Sequence, residues 1–197
     1  MNTNKIENKN NLSDTEPVNF TKTSTWKIDQ AHSHIEFKIK HLMVTNIGGH
    51  FNTFDATMEC HKDGFEGANV SFEADVNSIT TGNEMRDGHL KSDDFFNAAT
   101  YPKLKFVSTS IKKIDEENYK LTGNLTIRDK TLPVTLDVVH GGTTLNFYGK
   151  TVAGFELSGK INRKDFGLKW SATTEAGSIV VSDEVKLSMV VEMVKQD

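Results

Sequence analysis

Seven histidines and a single cysteine are the residues of this chain with the widest chemical reach. His32 and His34 lie two apart, and on a strand such a pair points to one face, an arrangement that can chelate zinc or iron. A third ligand would come from His41, His50, His61, His89 or His140, and the sequence singles out none of them. The alternation beside His34 puts it on the polar face, opposite Ile35 and Phe37, where surface hydrogen bonding is the plainer role. No metal ligand is assigned. Cys60 and His61 are adjacent and would face opposite sides of a strand, so they cannot form a thiolate–imidazolium pair; Ser33 between two histidines fails as a triad for the same reason. Asp93-Asp94 reads as a solvated or capping pair near a helix end. There is no G-x-S-x-G, no phosphate-binding glycine loop and no H-E-x-x-H. The sequence supports no catalytic assignment.

Charge is densest between Ser78 and Pro102, the one long break in a chain that otherwise alternates like strands. Thr81, Gly82 and Asn83 are turn and cap residues, and Glu84 stands three after Thr81, so a capping box is expected to open a short helix over about residues 82–92. On it Arg86 and His89 share a face, while Asp87 and Lys91 have the spacing of a surface ion pair. Phe95 and Phe96 follow, and a charged helix ending in two aromatics suits a flap whose phenylalanines tuck into an apolar interior. A second cluster holds Arg163 and Asp165 beside Phe166. Either cluster can meet a polar head group at a cavity mouth. The plainer alternative for the second is that the charges tie a loop together.

The elements that must position these residues are strands. Ile35, Phe37 and Ile39 alternate with charged neighbours; so do Val70, Phe72, Ala74 and Val76, the run Tyr119 to Ile127, the run Leu132 to Val138, Phe155 to Ile161, and Val185 to Met193. Gly48-Gly49 predicts a bulge or bend, and Gly141-Gly142 a chain reversal. About eight strands at hairpin spacing are simplest as an antiparallel meander, which closed into a barrel can enclose one small ligand. A sandwich would use the same alternation. Gly123 and Gly159 fall on the apolar face, where they either leave room inside or relieve curvature.

Bulk properties exclude several classes. At 197 residues the chain suits one domain with a sizeable core. A net charge of -4 with no basic stripe argues against nucleic acid, and no apolar run approaches the roughly 18 residues of a membrane span. One cysteine rules out an intrachain disulfide framework. Residues 1–24 are polar and cannot bury enough apolar surface to order themselves, so they are expected as a disordered tail before a domain over 25–197. That stretch lacks the apolar core of a signal peptide, so the expected location is cytoplasmic, or periplasmic if a leader has been removed.

The combined motifs resemble the YceI-like family of polyisoprenoid-binding, lipocalin-like proteins. The opening Asp29-x-x-His32-Ser33-x-Ile35-x-Phe37 with Gly49-x-Phe51, the flap run Thr81-Gly82-Asn83-x-x-Arg86-Asp87-x-His89-Leu90-Lys91-Ser92-x-Asp94-Phe95-Phe96, and Asn162-Arg163-x-Asp165-Phe166-Gly167 carry the likeness over about residues 26–195. The resemblance implies an all-β fold, an extended eight-stranded antiparallel barrel with the helical flap. It implies a long-chain lipid inside (isoprenoid quinone, polyprenyl phosphate or fatty-acid derivative), sequestered or transported without catalysis or cofactor. Pairing of two barrels in the family makes a homodimer plausible. The expected ligand-binding residues are Ile35, Phe37, Phe72, Phe106, Leu125, Leu136, Phe155 and Leu157 along the cavity, with Phe95, Arg86, His89 and Arg163 near the flap. A barrel enzyme using metal or haem held by His32, His34 and another histidine is the alternative.

Overall fold

The computed structural model describes residues 23–61, 64–173, 175, 177 and 180–197, and within it the alternation becomes eleven β segments. They are β1 (Ser24–Ile28), β2 (His34–His41), β3 (Thr45–Phe51), β4 (Phe54–Cys60), β5 (Asn69–Asp75), β6 (Ile79–Thr80), β7 (Lys103–Lys113), β8 (Asn118–Ile127), β9 (Lys130–Leu145), β10 (Thr151–Asn162) and β11 (Val181–Lys195). The helix α1 spans Glu84–Lys91. Residues 1–22 of the expected tail lie outside the described residues, and Ser24 already belongs to β1.

Every pairing is antiparallel, and the ring closes where β1 pairs with β11, Trp26 opposite Lys195. Eight long strands result, because three of them are broken part-way. β1 and β2 both lie along β11, with a 3-10 turn over Gln30–His32 between them. β3 and β4 follow β2 and β1, interrupted at Asn52 and Thr53. β5 and β6 follow in turn, interrupted by the 3-10 turn Val76–Ser78. Backbone groups freed at these breaks find partners across them: the Thr53 N–H donates to the Ser78 hydroxyl at 3.0 Å and the Asp75 N–H to the Thr53 carbonyl at 2.9 Å. The structure is therefore a closed eight-stranded antiparallel barrel. Among the described residues no helix is long and apolar enough to cross a membrane.

Three glycine expectations are corrected by tertiary contacts. Gly48 and Gly49 pair in register with Lys38 and Phe37, without a bulge. A Cβ on Gly49 would sit 2.4 Å from the Phe37 ring, so that glycine clears space for an aromatic. Gly141-Gly142 does not reverse the chain. β9 runs on to Leu145, and the pairing steps from Gly154–Gly142 to Phe155–His140, which leaves Gly141 as the extra residue of a bulge. Gly123 and Gly159 do not leave the interior empty, because their missing side chains are replaced by neighbours: added Cβ atoms would lie 2.3 Å from the Phe106 ring and 2.6 Å from a Leu136 methyl.

Candidate functional site

Alternation turns one face of every strand inward, and the inward side chains enclose two adjoining chambers. The deeper one, of about 190 Å³, is apolar except for Tyr119 and for Glu36, an exposed residue of β2. Ile35 and Phe37 from β2, Phe72 from β5 and Phe106 from β7 line it. Leu125, Leu136, Phe155 and Leu157 complete the predicted set on its wall. Its far end is stopped by aromatics. Phe65, from the β4–β5 connection, meets Trp26 edge-on at 5.7 Å and Phe155 at 4.9 Å, and His140 packs against both Phe65 and Phe155 at 5.0 and 5.2 Å. Cys60 is buried, and desolvation raises its thiol pKa, which makes it an inert packing residue.

The upper chamber, of about 280 Å³, lies under the flap. Phe37, Phe51, Leu104, Ile127, Ile161 and Leu187 belong to both walls, so the two chambers adjoin within the barrel. Here polar groups enter: Thr81, Arg86 and His89 from the flap, His41 from β2, and Arg163. Phe95 lies on this wall as well.

The flap is built differently from the expected capping box. Gly82 at φ +74° turns the chain after Thr81, so Asn83 becomes the N-cap, its side-chain oxygen accepting from the Arg86 N–H at 3.0 Å. Thr81 is thereby free to latch the helix. Its hydroxyl donates to Asp87 Oδ1 at 2.5 Å and accepts from Arg86 Nε at 2.6 Å, while Arg86 Nη2 donates to the Thr81 carbonyl at 2.9 Å. Asp87 also accepts from Thr80 Oγ1 at 2.9 Å and from the Thr81 N–H at 2.8 Å, which replaces the expected pairing with Lys91. Burial works to raise the Asp87 pKa, but these bonds and the Arg86 charge outweigh it and hold the carboxyl below its usual range. His89 contacts Asp94 at 2.9 Å and stacks edge-on with Phe95 and Trp170 at 5.0 and 5.1 Å.

Arg163 is 2 % exposed and does not pair with Asp165. Its guanidinium donates to the carbonyls of Leu168 (2.6 Å), Trp170 (2.7 Å) and Ser182 (2.9 Å), with Asp183 at 3.4 Å. Desolvation lowers its pKa and the Asp183 charge opposes that. Arg163 therefore reaches the chamber wall with its nitrogens engaged, as the peg that holds the Trp170 loop over the flap aromatics. Two residues of this end escaped sequence reasoning. Arg128 donates to the Asp93 and Phe95 carbonyls, both at 3.0 Å, and to Asp93 Oδ1 at 2.9 Å, fixing the flap to the β8–β9 hairpin. Trp170 sits in a stretch without periodicity, and neither residue carries a local signal of its contacts.

The His32–His34 pair is not formed as expected. His32 lies in the 3-10 turn and not on a strand, so the same-face argument fails; it meets Asp29 at 3.1 Å and Glu192 at 3.9 Å on the outer surface.

Comparison with known proteins adds to this geometry. The YceI-like domain model matches residues 26–193. A UPF0312 protein of Staphylococcus aureus is 36% identical over 164 residues, covering 83% of this chain and 93% of the relative. The crystal structure of a Campylobacter jejuni YceI protein superposes with a TM-score of 0.69 at 35% identity, over 86% of this chain and 96% of that one. A polyisoprenoid binding domain from Saccharophagus degradans shares the fold at a TM-score of 0.60 and 17% identity, over 87% and 98% of the two chains.

Proposed function

The chain belongs to the YceI-like family, and from that premise we propose that it binds and sequesters or carries a long-chain apolar lipid within the barrel, without catalysing a reaction on it. The observation that carries the reading is the barrel interior itself: an apolar deep chamber beside an upper chamber where polar side chains first appear. Each methylene buried in such a wall contributes roughly 0.8 kcal/mol, so a dozen or more offset the ordering of chain and flap with little need of polar contacts. The ligand classes that fit are an isoprenoid quinone, a polyprenyl phosphate or a fatty-acid derivative. The alkyl or prenyl tail lies toward Phe65 and Phe155, and the head lies near Arg86 and His89.

The polyisoprenoid-binding domain of Saccharophagus degradans, which shares the fold, supports the prenyl member of that set. Organic extraction of protein purified without detergent, followed by mass spectrometry, tests the reading. One long-chain lipid per barrel is expected. Extracts no richer in lipid than those of an unrelated protein purified alongside would overturn it.

A further inference from the structure

The barrel is sealed where its first strand meets its last, and at that seam three side chains bring ligating atoms together. Asp29 follows β1 as the N-cap of the 3-10 turn, His32 is the last residue of that turn, and Glu192 comes from β11. We propose that Asp29, His32 and Glu192 form a site for a divalent transition-metal ion of the zinc class, which staples the first strand of the barrel to the last.

The donor atoms are already close to ligating positions. Asp29 Oδ1 accepts from the Ala31 N–H at 2.8 Å, which leaves Oδ2 turned toward His32 Nδ1 at 3.1 Å. The same nitrogen lies 3.9 Å from Glu192 Oε1, and all three ligand atoms fall within 4.8 Å of one another. A four-coordinate ion with bonds of about 2.1 Å places its ligands about 3.4 Å apart, so only side-chain adjustments of a few tenths of an ångström to about one ångström separate this arrangement from coordination. The backbone beneath is fixed from two sides. The Asp29 N–H donates to the Glu192 carbonyl at 2.8 Å, and the Glu192 N–H donates to the hydroxyl of buried Ser33 at 3.0 Å.

One imidazole and two carboxylates make a borderline donor set with net negative charge, suited to zinc and open to water at the remaining position. The structural consequence of an ion there follows from topology, since it would join residues far apart in sequence across the seam between the first strand and β11. The site lies on the outer surface and does not depend on what fills the barrel.

The test is calorimetric titration of Zn²⁺ alone into the full chain, paired with thermal melts in Zn²⁺ and in chelator. One equivalent bound in the micromolar range is expected, with the melting temperature rising by about 5 °C at a hundredfold excess over Kd. His32→Ala should weaken binding at least about tenfold and abolish the rise, whereas His50→Ala should keep both. The His32 side chain is 66% exposed, so that variant is expected to fold, and its melt in chelator checks this. Glu192→Gln is the second variant and should also lose the site. Zinc binding that is equal in wild type and both site variants, or absent from wild type, would overturn the proposal.

Discussion

The deep and upper chambers share six wall residues and differ in how they are closed. At the deep end the stopper is aromatic packing: Phe65 against Trp26, His140 and Phe155, with no ion pair among them. At the upper end the cover is a charged helix, where the contacts of Phe95 with His89 and Trp170 are joined by the Asp87–Thr81–Arg86 latch and by Arg128 from the β8–β9 hairpin. The difference lies in the hydrogen bonds added at that end. Aromatic packing yields only by exposing apolar surface, whereas a hydrogen-bonded latch exchanges its partners for water at small net cost. The flap is therefore the end expected to open for ligand exchange, and the deep end the one expected to stay shut.

The strongest challenge to that contrast is a charge in the deep chamber. Phe72→Asp should reduce bound lipid by about tenfold or more, because the wall around it offers a carboxylate no cationic partner. Lipid extraction followed by mass spectrometry measures it, and unchanged content would remove Phe72 from the binding wall. Next in size is Arg163→Met, which leaves the carbonyls of Leu168, Trp170 and Ser182 without their donor. A loss of about 3 kcal/mol is expected in urea unfolding, with increased mobility of the Trp170 loop.

Arg128→Ala tests the flap more locally. Removal of three hydrogen bonds should lower the free energy of flap opening by about 2 kcal/mol, seen as faster amide exchange over 84–96 while β8 stays protected. Uniform loss of protection would mean that Arg128 stabilises the barrel and not the flap.

The smallest expected effect is that of acid on the latch. The folded pKa of Asp87 lies below its usual 3.8, so the carboxylate's stabilisation is complete above that value and is lost as pH falls through the depressed folded value. Exchange protection of α1 should therefore drop on acidification below about pH 3.8, ahead of the strands. Asp87→Asn should abolish that pH step. A step that persists in the variant would assign it to another carboxyl.

Much of the barrel was legible because period-two alternation is a local property. The runs from Tyr119 to Ile127 and from Val185 to Met193 each specify both a strand and the face it buries. The flap was legible for a similar reason, since turn residues, a short charged helix and two phenylalanines lie together in sequence. The eight strand residues predicted to meet ligand line the deep chamber for the same reason: once a strand's face is known, its inward side chains follow.

Tertiary structure decided whatever depends on what stands opposite. Gly49 and Gly123 each yield space to an aromatic on the neighbouring strand, Phe37 and Phe106, which no local pattern reveals. Asn83 displaced Thr81 as the cap because Gly82 turns left-handed, and that freed Thr81 to bind Asp87 and Arg86. Arg128 reaches a flap some 35 positions away, and Arg163 gathers carbonyls from two separate segments. Alternation fixes which way a side chain faces, but only closure of the ring brings Asp29 and His32 against Glu192, because that contact joins the two ends of the chain.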